Sequence, residues 1–148
     1  ESAAEMHQAA AEAFKEADAG ILCAAVADFT PEQVASQKIK REKDDLVLRL
    51  KPTCDIAASL GKEKRPGQVL VGFALETCDE VNHAQDKLAR KNFDFIVLNS
   101  LNDKGAGFRC DTNKITIIDR SEAVSYPLKS KKEVAEDIVD KLSSLFHS

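Results

Sequence analysis

The chain of 148 residues has no tryptophan and a single tyrosine. An aromatic platform on which single-stranded bases stack is therefore not expected. It has no basic excess either: 21 Lys and Arg stand against 25 Asp and Glu, a net charge of -4. That balance argues against nucleic-acid binding through bulk electrostatics. No apolar run approaches the roughly 20 residues of a membrane span. The acidic, helical amino end ESAAEMHQAAAEAF does not read as a signal peptide. Cys23, Cys54, Cys78 and Cys110 are widely spaced, with no C-x-x-C, which suits neither a zinc site nor a disulfide framework. The reading is four reduced thiols in a cytoplasmic protein, with no nucleic-acid or membrane partner. G-x-G-x-x-G and G-x-x-x-x-G-K-[ST] are missing too. The Gly-Ala-Gly at 105–107 precedes a strand instead of joining a strand to a helix.

At 43% hydrophobic and 31% charged residues, the composition suits one domain with a buried core and a soluble surface. The most informative stretch runs from Gln68 to Asn99. Val69, Leu70, Val71 and Phe73 form a near-continuous apolar run, as in a strand covered on both faces. Asp79 stands where an N-cap belongs, and Val81, Ala84, Leu88 and Ala89 make a helical apolar stripe. Phe93, Phe95, Ile96, Val97 and Leu98 begin a second buried strand. The connection is long enough for a right-handed parallel crossover. Ligands of open parallel sheets sit beyond the carboxyl ends of the strands, which singles out residues 72–77 and Asn99.

Around this unit the patterning predicts a helix over residues 2–16, capped by Ser2 and Glu5, with Met6, Ala9, Ala10, Ala13 and Phe14 facing in. Gly20 should end it in a left-handed conformation. Residues 21–28 read as a buried strand whose small Ala24, Ala25 and Ala27 allow close approach, with Asp28 at the ligand edge. Lys38-Ile39-Lys40-Arg41 and residues 46–51 alternate apolar and charged, a hairpin with one apolar face. A lone hairpin is marginal, so its apolar face needs a partner: a second copy of the chain is the simplest, the chain's own domain the alternative. A short helix over 55–62, a loop over 100–113, a strand over 114–119, an extended segment over 125–128 and a closing helix over 130–146 complete the chain. The fold expected is α/β, a Rossmann-like doubly wound and mainly parallel sheet with a protruding β-hairpin dimerisation flap. A single domain spans 1–148, with the flap at 30–52. It opens on a helix, where nucleotide domains normally open on a strand and a Gly-rich turn. It therefore reads as the carboxyl part of a domain whose opening turn is missing or supplied elsewhere.

Lys87, Arg90 and Lys91 cluster on the central helix. Lys87 and Lys91, at i and i+4, repel by a few tenths of a kcal/mol. One reading is a solvated face; the other is an anion, such as a phosphate, between the two ammonium groups.

Several ordered blocks bear on that choice: residues 24–29 (AAVADF), Lys38-Ile39-Lys40, Asp55-Ile56-Ala57, residues 71–77 (VGFALET), Lys87 with Lys91, residues 94–99 (DFIVLN), and Gly107-Phe108 followed by Asp111 and Asn113. Together they resemble phosphopantothenoylcysteine synthetase, the phosphopantothenate–cysteine ligase that forms the second half of a bifunctional coenzyme A enzyme in many bacteria. The similarity runs from about Glu5 to Asp119. It implies a ligase that joins 4′-phosphopantothenate to L-cysteine at the expense of a nucleotide, CTP in most bacteria, with Mg2+. The carboxylate attacks the α-phosphate to give an acyl-cytidylate and pyrophosphate, and the cysteine amine then displaces CMP. Activation of this kind relies on positioning and neutralisation of phosphate charge. By resemblance, Lys38 is the catalytic flap lysine. Ala24, Ala25, Asp28, Lys38, Asp55, Ile56, Ala57, Phe73, Lys87 and Lys91 contact the nucleotide. Asn99 and Asp111 read as turn or cap residues. The family dimerises through the segment matching residues 38–50, so a homodimer is implied; an FMN site is not expected in this segment.

Family members usually carry Asn-Pro before the aspartate of the Asp55 block, where this chain has Thr53-Cys54. The family's Gly-rich opening turn and an intermediate-stabilising asparagine have no counterpart here, so little or no ligase activity is expected of this segment alone. The competing readings are a non-catalytic nucleotide-binding module and a structural dimer fragment. A nicotinamide oxidoreductase is a further one, disfavoured by the missing G-x-G-x-x-G.

Overall fold

The computed structural model describes residues 1–40, 45–76, 78–100 and 111–147. The elements, in order, are α1 (Ala3–Glu16), β1 (Ala19–Leu22), β2 (Phe29–Pro31), β3 (Leu50–Pro52), α2 (Ile56–Glu63), β4 (Val69–Glu76), α3 (Glu80–Arg90), β5 (Phe95–Ser100), β6 (Thr112–Asn113), β7 (Ile115–Asp119), β8 (Ala123–Ser125), β9 (Lys129–Ser130) and α4 (Lys131–Phe146). The main sheet has the order β1-β4-β5-β7-β8. β1, β4 and β5 run parallel; β7 and β8 extend the sheet in antiparallel fashion. Two small antiparallel pairs, β2 with β3 and β6 with β9, lie outside it.

The double-sided apolar pattern of β4 explains the layering. Leu70 and Ala74 face one core together with Phe14 of α1, Leu60 of α2, and Ala84 and Leu88 of α3. Val69 and Val71 face the other, against Val134 and Ile138 of α4. Successive strand residues point to opposite faces, so helices cover both sides of an α/β sheet with a parallel centre, as expected. Both predicted capping boxes form: Ser2 with Glu5 on α1 and Ser130 with Glu133 on α4.

Two glycines permit close approach. A Cβ on Gly72 of β4 would stand 2.2 Å from the Phe93 ring, and one on Gly61 of α2 only 1.9 Å from the Lys91 carbonyl oxygen. Gly61 lies inside α2 and lets that helix touch the carboxyl end of α3. Phe93 precedes β5 instead of belonging to it, and its ring fills the space over Gly72 on the helix side.

Five further expectations are corrected. The strand predicted over 21–28 is β1, over 19–22 only, and it is not buried. It is an edge strand paired with β4 alone, from Ala19 opposite Val69 to Leu22 opposite Gly72; residues 23–27 then leave the sheet. Gly20 belongs to β1 and does not terminate α1. The Gln68 side chain does that work, its Nε2 donating to the carbonyls of Phe14 and Ala17, each at 2.7 Å. The ladder of the excursion pairs 29–31 with 50–52, and the described residues 38–40 and 46–49 are in no strand. Leu46, Val47, Leu48 and Leu50 are all exposed, so alternation there has no core to select a strand; residues 41–44 lie outside the described residues. Asp79 stands at the N-cap of α3, as expected, but with left-handed backbone and no side-chain capping bond. Its carboxylate accepts from the Asn82 side chain at 2.7 Å instead. The inward face of α1 is also rotated: His7, Ala10, Ala11 and Phe14 are covered, while Met6, Ala9 and Ala13 are exposed.

Candidate functional site

At the carboxyl end of β1, the chain leaves the sheet and lines a cleft of about 420 Å3. Thr53 holds this segment: its Oγ1 donates to the Ala27 carbonyl at 2.7 Å and its N–H to the Asp28 carbonyl at 2.9 Å. The cleft's far wall is the start of α2, whose N-cap Asp55 accepts from the Ala58 N–H at 3.0 Å. Such a helix start presents backbone donors to an anion. Phe73 of β4, Lys87 of the last turn of α3 and Lys91, the C-cap of α3, also line the cleft.

The two ammonium groups do not face each other unscreened. Lys87 pairs with Glu76 at the end of β4, and Lys91 pairs with Asp55 at 3.0 Å. Their carboxylates relieve the like-charge repulsion expected at i,i+4. Partial burial pushes the Asp55 carboxyl up, but the Ala58 N–H and the Lys91 ammonium overcome this and hold it below the usual carboxylate range. His83, one turn before Lys87, lies 3.6 Å from the second Glu76 oxygen. The cleft is thus lined by two lysines, each held on a carboxylate.

Ala24, Asp28, Asp55, Ile56, Ala57, Phe73, Lys87 and Lys91 therefore line one cleft. Ala25 faces an adjoining cavity of about 530 Å3, which shares Cys23, Ala24 and Phe73 as a common wall and extends to Asn99, Asn113 and α4. Asn99 is a strand residue accepting from the Asn113 side chain at 3.0 Å, not a turn residue. The Asp111 carbonyl accepts from Lys131 N–H at 2.9 Å, at the start of α4. Lys38 is not brought to either cavity: it is exposed on the segment between β2 and β3. Thr77 and the Gly105–Cys110 stretch, which includes Gly107 and Phe108, lie outside the described residues. Sequence reasoning missed Glu76 as the partner of Lys87, Thr53 as the tie across the cleft, and His7. Only the acidic residue closing the β4 run hinted at the first; the other two depend on contacts between distant segments.

For Mg2+, the carboxylates lining the cleft are Asp28 and Asp55, and Asp55 is engaged by Lys91. Among the described residues no group of three His, Cys, Asp or Glu is placed to cage a metal. A hard cation there fits only as part of a phosphate complex that keeps most of its own oxygen ligands.

The model of the DNA/pantothenate metabolism flavoprotein C-terminal domain matches residues 1–145. The chain belongs to this family. It is 58% identical over 147 residues to a protein of an unknown prokaryotic organism named Cysteine/Cysteine sulfinic acid decarboxylase, covering 99% of this chain and 41% of that protein. It is 42% identical over 146 residues to the Coenzyme A biosynthesis bifunctional protein CoaBC of Bacillus subtilis (strain 168), covering 98% of this chain and 36% of that one. Among solved structures, the crystal structure of the C-terminal domain of CoaBC superposes with a TM-score of 0.80 at 34% identity, covering 99% of this chain and 64% of the other. The chain of this family member thus spans about two fifths of the curated relatives named here. No helix among the described residues is long and apolar enough to cross a membrane.

Proposed function

We propose that this member of the pantothenate-metabolism family serves in a phosphopantothenate–cysteine ligase, activating 4′-phosphopantothenate with CTP for attack by L-cysteine in the cytoplasmic synthesis of coenzyme A. The observation that carries this reading is the convergence of Lys87 and Lys91, from one turn of α3, on the cleft that Asp28, the start of α2 and Phe73 enclose. Lys87 and Lys91 take the triphosphate, exchanging Glu76 and Asp55 for phosphate oxygens. Ala24 and Ala25 are small enough to admit the nucleoside against the backbone. Mg2+ arrives as the nucleotide complex and offsets phosphate charge. Lys38 closes over the α-phosphate as the acyl-phosphate bond forms and pyrophosphate leaves; the amine of cysteine then expels CMP. The likeness to CoaBC of Bacillus subtilis and to the C-terminal domain of CoaBC supports the assignment.

The exposed apolar side chains of the excursion, among them Val34, Ile39, Leu46, Val47, Leu48 and Leu50, suit a twofold partner that covers both flaps. The reaction is assigned to the whole protein. This segment contributes the triphosphate cleft and the flap and has little turnover by itself.

The relative at 58% identity carries a decarboxylase name, which favours a second reading: a protein that removes CO2 from cysteine or cysteine sulfinic acid. A melting assay separates the two. Ligand stabilisation follows RT ln(1 + [L]/Kd), about 2.7 kcal/mol at a hundredfold excess over Kd. Under the ligase reading CTP with Mg2+ raises the Tm and NADPH does not. Stabilisation by neither nucleotide, with CO2 released from cysteine sulfinic acid by the whole protein, overturns it.

A further inference from the structure

His7, on the covered face of α1, meets two residues 52 and 47 positions away. Its Nε2 lies 2.9 Å from Ser59 Oγ and 3.7 Å from Cys54 Sγ. Both neighbours carry a hydrogen to donate, and in the tautomer that leaves Nε2 unprotonated its single lone pair accepts from one or the other. Ser59 orients the imidazole, and Cys54 presents an exposed thiol to it. A nucleophile within reach of a base that a third group holds in place is the arrangement that activates side-chain nucleophiles. The thiol also opens onto space: Cys54 lines the 420 Å3 cleft beside Asp55 and Lys91. Cys23 lines the same cleft, and Cys78 is exposed near the end of β4. Neither of these has an imidazole contact among the hydrogen bonds of the described residues.

We propose that Cys54 and His7 form a thiol–imidazole pair that makes Cys54 a site of thiol–disulfide exchange with small disulfides, at the mouth of the cleft. In this step Cys54 Sγ attacks one sulfur of the disulfide while His7 Nε2 takes the thiol proton. The new S–S bond joins Cys54 to half of the reagent. The reagent's own S–S bond breaks, and its other half leaves as a thiolate that recovers the proton. The disulfide is the only oxidant needed. Both partners come from the folded arrangement of α1 against α2, so the pair exists only in the native chain. The inference rests on the cleft's geometry and not on the identity of its ligand.

The test is the rate at which each cysteine is modified at pH 7, read by peptide mass mapping. The reagents are glutathione disulfide and, separately, the uncharged alkylator iodoacetamide, on the native chain and on the urea-unfolded chain. In the native chain Cys54 should react about tenfold faster than Cys23 and Cys78, and the difference should vanish in urea. His7→Gln should bring Cys54 to the rate of the other two with both reagents, while Ser59→Ala, which spares the base, should keep most of the advantage. A His7→Gln chain that melts early is replaced by His7→Asn. Equal rates at Cys54, Cys23 and Cys78 in the native chain would overturn the proposal. So would a fast Cys54 that is indifferent to loss of the imidazole.

Discussion

Gly61→Ala perturbs one atom and is expected to report on both the fold and the cleft. The new methyl would stand 1.9 Å from the Lys91 carbonyl oxygen and 2.9 Å from its carbon. Side-chain rearrangement cannot relieve this, because the obstacle is backbone. The axis of α2 must move away from the end of α3 by more than about 1 Å to restore an ordinary contact. Overpacking of this kind costs about 1–3 kcal/mol, sometimes more. Replacing a helix-interior glycine by alanine returns up to about 1 kcal/mol. A backbone contact this short puts the cost at the upper end, so the net is a destabilisation of roughly 2 kcal/mol, which lowers the Tm of a domain this size by roughly 4–8 °C. The displacement also reaches the cleft, since Lys91 follows the oxygen that is pushed and Asp55 caps the helix that moves. Calorimetry and a urea titration of the variant against the parent measure the first effect; CTP titration measures the second. A Tm that is unchanged or raised refutes the account of how α2 and α3 meet.

Other perturbations follow from the same contacts. Gln68→Ala removes the donor to the Phe14 and Ala17 carbonyls and the acceptor of the Arg65 N–H, so a loss of roughly 1–3 kcal/mol is expected in urea unfolding. Burial pushes the Asp119 carboxyl up, but Lys141 and the donors of Ser121 and Glu122 overcome it and hold it well below the usual range. That stability is present above the unfolded pKa of about 4 and is lost as pH falls towards the depressed folded value. Asp119→Asn should therefore flatten the stability curve between about pH 4 and pH 2, as pH-dependent melting would reveal. Lys38→Gln in the whole protein should lower ligation about a hundredfold while CTP binding changes little, as kinetics and calorimetry compared will tell.

The buried strands were the most legible part of the sequence. The run Val69 to Phe73 and the run Phe95 to Leu98 needed no tertiary information, because a strand covered on both faces must be apolar at every position. The capping boxes of α1 and α4 were equally local. The face of α1 was harder, since a helix rich in alanine offers several nearly equivalent stripes and packing chooses among them. That choice hides His7 and exposes Met6. Alternation over 38–41 and 46–51 misled for a related reason: period-two patterning marks a strand only when one face meets a core. The cleft was legible as a set of residues, eight of which meet, but not as an electrostatic arrangement. Nothing in the spacing of Lys87 and Lys91 announces that Glu76 and Asp55 neutralise them.

The central claim is that the α3 lysines hold a polyphosphate in the cleft below β1 and β4. Calorimetric titration of CTP with Mg2+ into the parent chain and into a Lys87→Gln/Lys91→Gln chain tests it most directly. Charge-assisted bonds to phosphate contribute about 1.5–3 kcal/mol each, so the double substitution should weaken binding by at least about a hundredfold, with the Tm of the free chain little changed. Affinity that is the same in both chains, or absent from the parent, would contradict it.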